Sequence, residues 1–156
     1  MRKGRALLLT LSMAIAALIG AGLPGTAVAA ETATPASGAA VAEFERNFAV
    51  AGNLPSRSEL TCHSVPAVEI CYQAYGDRWW VQDQLGDGAS AVVKWENFRN
   101  GSLYRHGMCV NSLGKGKWGQ CNKNYYENSV LNGFPCTWDR SSNENLLCNS
   151  RGWNFQ

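Results

Sequence analysis

The stretch Gly76-Asp77-Arg78-Trp79-Trp80-Val81-Gln82-Asp83-Gln84-Leu85-Gly86-Asp87-Gly88-Ala89-Ser90-Ala91-Val92-Val93-Lys94-Trp95 decides the fold class. On its second arm Ala89, Ala91, Val93 and Trp95 share one side, and Ser90, Val92 and Lys94 share the other. On its first arm Trp79 and Val81 lie on one side and Trp80 and Gln82 on the opposite one. A period of two with one apolar face marks a half-buried strand. Gly86-Asp87-Gly88 separates the arms, and Asp-Gly reverses a chain readily because both residues tolerate positive φ. The expectation is one β-hairpin, opened by a turn at Gly76-Asp77. It puts Trp79, Val81, Val93 and Trp95 on a single buried face. Full burial of such a side chain contributes about 1.5–3 kcal/mol, so these four form a large part of a small core.

Further strands read outward from this pair. Glu69–Tyr75 precedes it, and Tyr104–Asn111, Lys117–Asn122, Tyr125–Leu131, Pro135–Trp138 and Leu146–Asn149 follow. Turn signals separate them at Asn100-Gly101, Leu113-Gly114-Lys115-Gly116, Asn132-Gly133-Phe134-Pro135 and Ser141-Ser142-Asn143. Short strands at this spacing indicate an all-β antiparallel sandwich or barrel. No helical period of useful length follows Ala51. Just before it, Val41, Phe44 and Phe48 fall at i, i+3 and i+7, the apolar stripe of a short helix. Gly52-Asn53 would end that helix, with Pro55 beyond. The helix reads as docked on the domain edge; the alternative is a pro-segment clipped near Arg57.

The first thirty residues have the pattern of a secretory signal peptide. Arg2, Lys3 and Arg5 precede an apolar run from Ala6 to Leu23, and Ala27-Val28-Ala29-Ala30 offers a small-residue cleavage site. The other reading of the run is a membrane anchor, but Pro24-Gly25 and the small residues fit cleavage better. Residues 31–60 then form a flexible segment that includes the short helix, and 61–156 form the β domain. Of the 14 basic residues, Arg2, Lys3 and Arg5 lie in the leader, whereas all 12 acidic residues follow it. The exported chain thus carries 11 bases against 12 acids, a net charge of −1. That removes the electrostatic motive for binding nucleic acid, and no later stretch is apolar enough to span a membrane.

The six cysteines, Cys62, Cys71, Cys109, Cys121, Cys136 and Cys148, all follow the leader. An even number in a small exported chain reads as a disulfide framework. Six cysteines allow 15 connectivities; the spacing favours neighbours, and the last two pairs share the form Cys-x11-Cys-Asn. A zinc site would need a spacing that these cysteines with His63 and His106 do not make. No cofactor is expected. All six tryptophans lie between Trp79 and Trp153, which would compensate a core limited by chain length.

Val81-x-Asp83-x3-Asp87-Gly88-x-Ser90-Ala91-x-Val93-x-Trp95, with Cys109-x-Asn111-x2-Gly114-x-Gly116-x-Trp118-x2-Cys121-Asn122, resembles a group of small exported actinomycete proteins. The similarity runs from about Cys71 to Cys148, and the group is mostly of unassigned function. The resemblance implies secretion and a disulfide-bonded β domain. It carries over no catalytic or ligand residue.

The candidate chemistry is sparse. Asp83 and Asp87 flank a glycine-bearing loop and are the candidate calcium ligands, although a calcium loop needs more oxygen ligands than these. The other reading is that both carboxylates shape turns. Asp77, Asp83, Asp87, Glu96 and Asp139 supply residue types for a glycosidase pair, and His63 or His106 could act as a general base. No Gly-x-Ser-x-Gly and no His-Glu-x-x-His is present. The positive hint is aromatic. Trp79-Trp80 and Tyr125-Tyr126 are adjacent pairs, so on a strand one member faces the core and the other the outer face. Outward aromatics suit sugar stacking or protein contact; the other reading is structural, with a small sandwich covering both faces or the helix near Phe44–Phe48 covering one. The expectation is a secreted, non-catalytic binding module for an extracellular glycan or protein. The alternatives are an inhibitor of an extracellular hydrolase, presenting Leu113–Lys117, or a small hydrolase.

Overall fold

In the computed structural model, which describes residues 42–142 and 146–156, the expected all-β architecture is present. The signal-like leader and the segment Glu31–Ala40 lie outside the described residues. The strands are β1 (Glu45–Phe48), β2 (Val50–Ala51), β3 (Thr61–Ser64), β4 (Val68–Gln73), β5 (Arg78–Asp83), β6 (Ser90–Arg99), β7 (Ser102–Asn111), β8 (Trp118–Asn122), β9 (Val130–Trp138), β10 (Leu147–Cys148) and β11 (Trp153–Asn154). They build two sheets. One has the order β1-β7-β6-β9-β10, with β11 also on β9; the other has the order β2-β8-β5-β4-β3. No helix among the described residues is long and apolar enough to cross a membrane.

The expected hairpin of residues 76–95 is not formed, although both of its arms are strands. β5 lies between β4 and β8, whereas β6 lies between β7 and β9 in the opposite sheet. Gly86-Asp87-Gly88 therefore carries the chain across the sandwich. Trp79 and Val81 do share the core with Val93 and Trp95, but they meet it from opposite sheets. Alternation shows which side of a strand is apolar; it does not show which strand lies alongside. Tyr72, Ile70 and Val68 of β4 and Leu131 of β9 complete the same cluster.

The expected short helix is absent. Its stretch is extended, apart from Val41, which lies outside the described residues. β1 pairs in parallel with Gly107–Val110 of β7. After the Ala49 amide donates to the Val110 carbonyl at 2.8 Å, β2 pairs with Gly119 and Gln120 of β8. One run of chain thus joins an edge of each sheet. Two turns of local helical period are a weak preference, and a complete set of inter-strand partners outweighs it. The close approach depends on Gly107, where a Cβ would stand 2.2 Å from the Glu45 carbonyl oxygen. A carboxylate fixes the register. Glu45 accepts from Arg105 Nε and Nη2 at 2.7 and 3.0 Å and from Lys123 Nζ at 2.8 Å. The Lys123 side chain is only 3 % exposed and lies 4.7 Å from the Trp95 ring centroid.

Asn132-Gly133-Phe134-Pro135 is not a turn either; β9 runs straight through it from Val130 to Trp138, whereas Tyr125–Ser129 of the expected strand Tyr125–Leu131 lie in the connection before it. Gly133 sits where a Cβ would meet Trp79 and Phe155 at 2.7 Å. The Pro135 carbonyl accepts from the Asn149 amide at 3.0 Å. Its ring nitrogen therefore faces away from β6, into the gap between β10 and β11, where no ladder bond is lost.

The disulfides join Cys62–Cys71, Cys109–Cys121 and Cys136–Cys148, the neighbour pairing that the spacing favours. The first and third link directly opposed residues within a sheet. Cys109–Cys121 alone bridges the two sheets, from β7 to β8.

Two outcomes are expected. Replacing Cys109 and Cys121 together by Ala should lower the unfolding free energy by about 3 kcal/mol, measured by urea denaturation. Glu45→Gln should lower it by about 1–2 kcal/mol at pH 7, less than a fully buried pair would, because Glu45 keeps 30 % exposure. Burial pushes the Glu45 carboxyl up, but hydrogen bonds and charge from Arg105 and Lys123 outweigh it and hold the group below its ordinary 4.5. Its contribution is thus present above that value and is lost as pH falls through the lower folded one. Unfolding curves of the native chain and Glu45→Gln should converge in acid. An equal gap at both pH values would show that charge is not the cause.

Candidate ligand-binding site

Of the four aromatic candidates, three are structural. Trp79 is fully buried and its indole Nε1 donates to the Tyr125 hydroxyl at 3.1 Å. Trp80 points to the outer face of its sheet, yet it is 2 % exposed. The backbone at Gly52 lies against its ring, where a Cβ would come within 3.0 Å, and Nε1 donates to Gln73 at 3.4 Å. One indole of the pair does take the outer face, as expected, but it is covered there. The chain after β2 crosses that face and covers it. Tyr125 is 5 % exposed, and burial pushes its phenol up.

Tyr126 is different. It is 43 % exposed, and its ring lies 5.6 Å from that of Tyr104, itself 40 % exposed. The Arg99 guanidinium lies over the Tyr126 ring at 3.7 Å. Tyr104, Arg105, Asn124, Tyr125 and Tyr126 line a cavity of about 240 Å³. Two elements bring these groups together. The first is the β6–β7 hairpin, a two-residue turn with Asn100 and Gly101 both at positive φ (51° and 75°), the geometry that suits the twist of the strands. It carries Arg99, Tyr104 and Arg105. The second is the β8–β9 connection, which carries Asn124, Tyr125 and Tyr126.

That connection is firmly held. The Asp77 carboxylate accepts the Tyr125 amide at 3.1 Å and the Tyr72 hydroxyl at 2.5 Å. Arg105 Nη1 donates to the Asn124 carbonyl at 2.5 Å. The Tyr126 carbonyl accepts from the Ser129 amide, the Ser129 hydroxyl and Gln156 Nε2 at 2.9, 2.6 and 2.9 Å. Asn97, wholly buried, donates to the Ser129 hydroxyl at 2.7 Å and ties the loop to β6. The exposed rings therefore stand on a fixed backbone. Contact with the Tyr126 hydroxyl pushes the Tyr104 phenol up, against the pull of Arg99 and Arg105. Arg99, Tyr104, Arg105 and Asn124 are absent from the sequence reading of the site. Its only sequence signal is Tyr125-Tyr126, with one ring facing in and one facing out.

The remaining candidates serve the fold. Asp83 accepts the Leu85 amide at 2.9 Å and Asp87 the Ala89 amide at 3.0 Å, so each carboxylate shapes its own turn. Among the described residues only Cys62, Glu69 and Cys71 bring three potential metal-ligand atoms together, and both sulfurs are consumed in a disulfide. His63 stacks on Trp153 at 4.9 Å, and burial followed by the Arg151 charge holds it below the ordinary imidazole value. His106 meets the edge of Phe44 and lies opposite Glu96 in register. Neither imidazole shares a hydrogen bond with a carboxylate among the described residues. The chain matches no family model, no curated protein and no solved structure.

The tyrosine pair separates by experiment. Tyr125→Ala should cost about 3 kcal/mol of stability, whereas Tyr126→Ala should cost less than about 1 kcal/mol. Thermal or urea unfolding measures both.

Proposed function

We propose that the protein is a secreted, non-catalytic binding domain, akin to the small exported actinomycete proteins it resembles, and that it binds an extracellular glycan at the Tyr104–Tyr126 cavity. One observation carries this reading: two exposed phenol rings on a hydrogen-bonded loop border a cavity with room for a single sugar ring. Aromatic faces with polar tips suit the C–H faces and hydroxyls of a saccharide. A fixed backbone lowers the ordering cost of binding. Full pairing of the cysteines agrees with an oxidising compartment.

The inhibitor reading would rest on Leu113–Lys117. That loop is a tight turn with Gly114 and Gly116 at φ 94° and 74°. The buried Asn111 side chain holds it down, donating to the Val81 and Lys117 carbonyls at 2.7 and 2.8 Å.

Screening the oxidised domain on an array of neutral and acidic oligosaccharides tests the proposal. Bound sugars should be released by Tyr126→Ala and by Tyr104→Ala, each with at least a tenfold loss of affinity, about 1.4 kcal/mol. Retention of no saccharide, or undiminished binding by both variants, would overturn it.

A further inference from the structure

The electrostatics of the tyrosine cavity point beyond a neutral sugar. Three cations gather at this end of the molecule. Arg105 lines the cavity, Lys123 lies behind it, and Arg99 covers the Tyr126 ring. One carboxylate, Glu45, answers two of them. Arg99 has no ion pair among the described residues, and its Nε is buried without a hydrogen-bond partner. The nearby acids Asp77, Glu96 and Glu127 form no ion pair with Arg99 among the described residues. Asp77 accepts Tyr72 and the Tyr125 amide, and Glu96 pairs with Lys94 at 3.0 Å. Glu127, in the same loop, is exposed, and its charge acts on Tyr72. The positive charges of Arg99 and Arg105 both act on the Tyr104 hydroxyl, as does the neighbouring Tyr126 hydroxyl. Arg99 is thus a cation without an ion-pair partner beside an aromatic cavity, in an exported chain whose net charge is close to zero.

We infer that the ligand is an acidic saccharide, a sugar ring that carries a carboxylate, with the ring against Tyr104 and Tyr126 and the carboxylate answered by Arg99. A guanidinium presents paired N–H donors in a plane that matches a carboxylate's two oxygens. Stacking on Tyr126 already orients the Arg99 group, so little side-chain freedom is lost on pairing. Arg105 adds field from the cavity wall, while its bonds to Glu45 and Asn124 keep it in place.

This inference rests on the glycan reading, and one experiment separates the two. Isothermal titration compares a glucuronic acid oligosaccharide with its carboxyl-reduced form, against the native domain, Arg99→Gln and Arg99→Lys. Near-ultraviolet circular dichroism checks that the tryptophan core is unchanged. The acidic oligosaccharide should bind at least tenfold tighter than the reduced one. Arg99→Gln should abolish that preference, bringing the affinity for the acidic oligosaccharide down to the variant's own affinity for the reduced form, and Arg99→Lys should restore part of it. Raising the salt concentration should weaken only the acidic complex. Equal binding of both oligosaccharides, or a preference that survives Arg99→Gln, would overturn the inference and leave glycan binding standing. Failure to bind either would overturn both.

Discussion

The fold closes on the Glu45 carboxylate. Two sheets end side by side at β7 and β8, and a single disulfide, Cys109–Cys121, joins them there with 5.9 Å between Cα atoms. The run from Glu45 to Ala51 fills the seam by pairing with both. Its backbone approaches β7 and β8 so closely that only glycine fits opposite, at Gly107 and at Gly119, where a Cβ would touch that of Ala49 at 2.7 Å. Such an approach needs a fixed register, and Glu45 sets it by holding two cations that reach it from β7 and from the residue after β8. A buried ammonium such as Lys123 is costly without an anion, so the strand and the cation require each other.

Arg105 extends this dependence to the candidate site. Its Nε and Nη2 hold Glu45, and its Nη1 holds the Asn124 carbonyl beside Tyr125. One guanidinium therefore fixes both the seam and the loop that carries the exposed tyrosine. Tyr125 belongs to the core through Trp79, and Tyr126 belongs to the surface through Arg99. The step from packed interior to open face is one residue long. A binding surface built this way draws its rigidity from the same contacts that make the domain stable.

What the sequence reveals here divides along a physical line. Strand positions are legible because alternation is local, and the apolar faces of β5 and β6 were readable residue by residue. The disulfides are legible because 9 to 12 residues separate each pair. Pairing between distant segments leaves no such trace. β1 takes its partner about sixty residues downstream, so its stretch displays only the chance spacing of Phe44 and Phe48. The burial of Trp80 depends on Gly52, which no pattern around Trp80 announces. Asn132-Gly133-Phe134-Pro135 carries turn residues for reasons of close packing and of an unpaired edge, not of reversal. The cation cluster was invisible for the same cause. Arg99 and Arg105 come from one hairpin and Lys123 from the β8–β9 connection, and each alone reads as an ordinary surface charge.

The parallel placement of β1 also orders events in time. Glu45 is among the first described residues to emerge from a ribosome, yet its partner Lys123 follows 78 positions later. Each cystine, by contrast, closes a short loop and can form as soon as its second sulfur appears. The domain's beginning therefore lacks that partner until Lys123 has been made, while β9, Cys148 of the third disulfide and β11 follow later still.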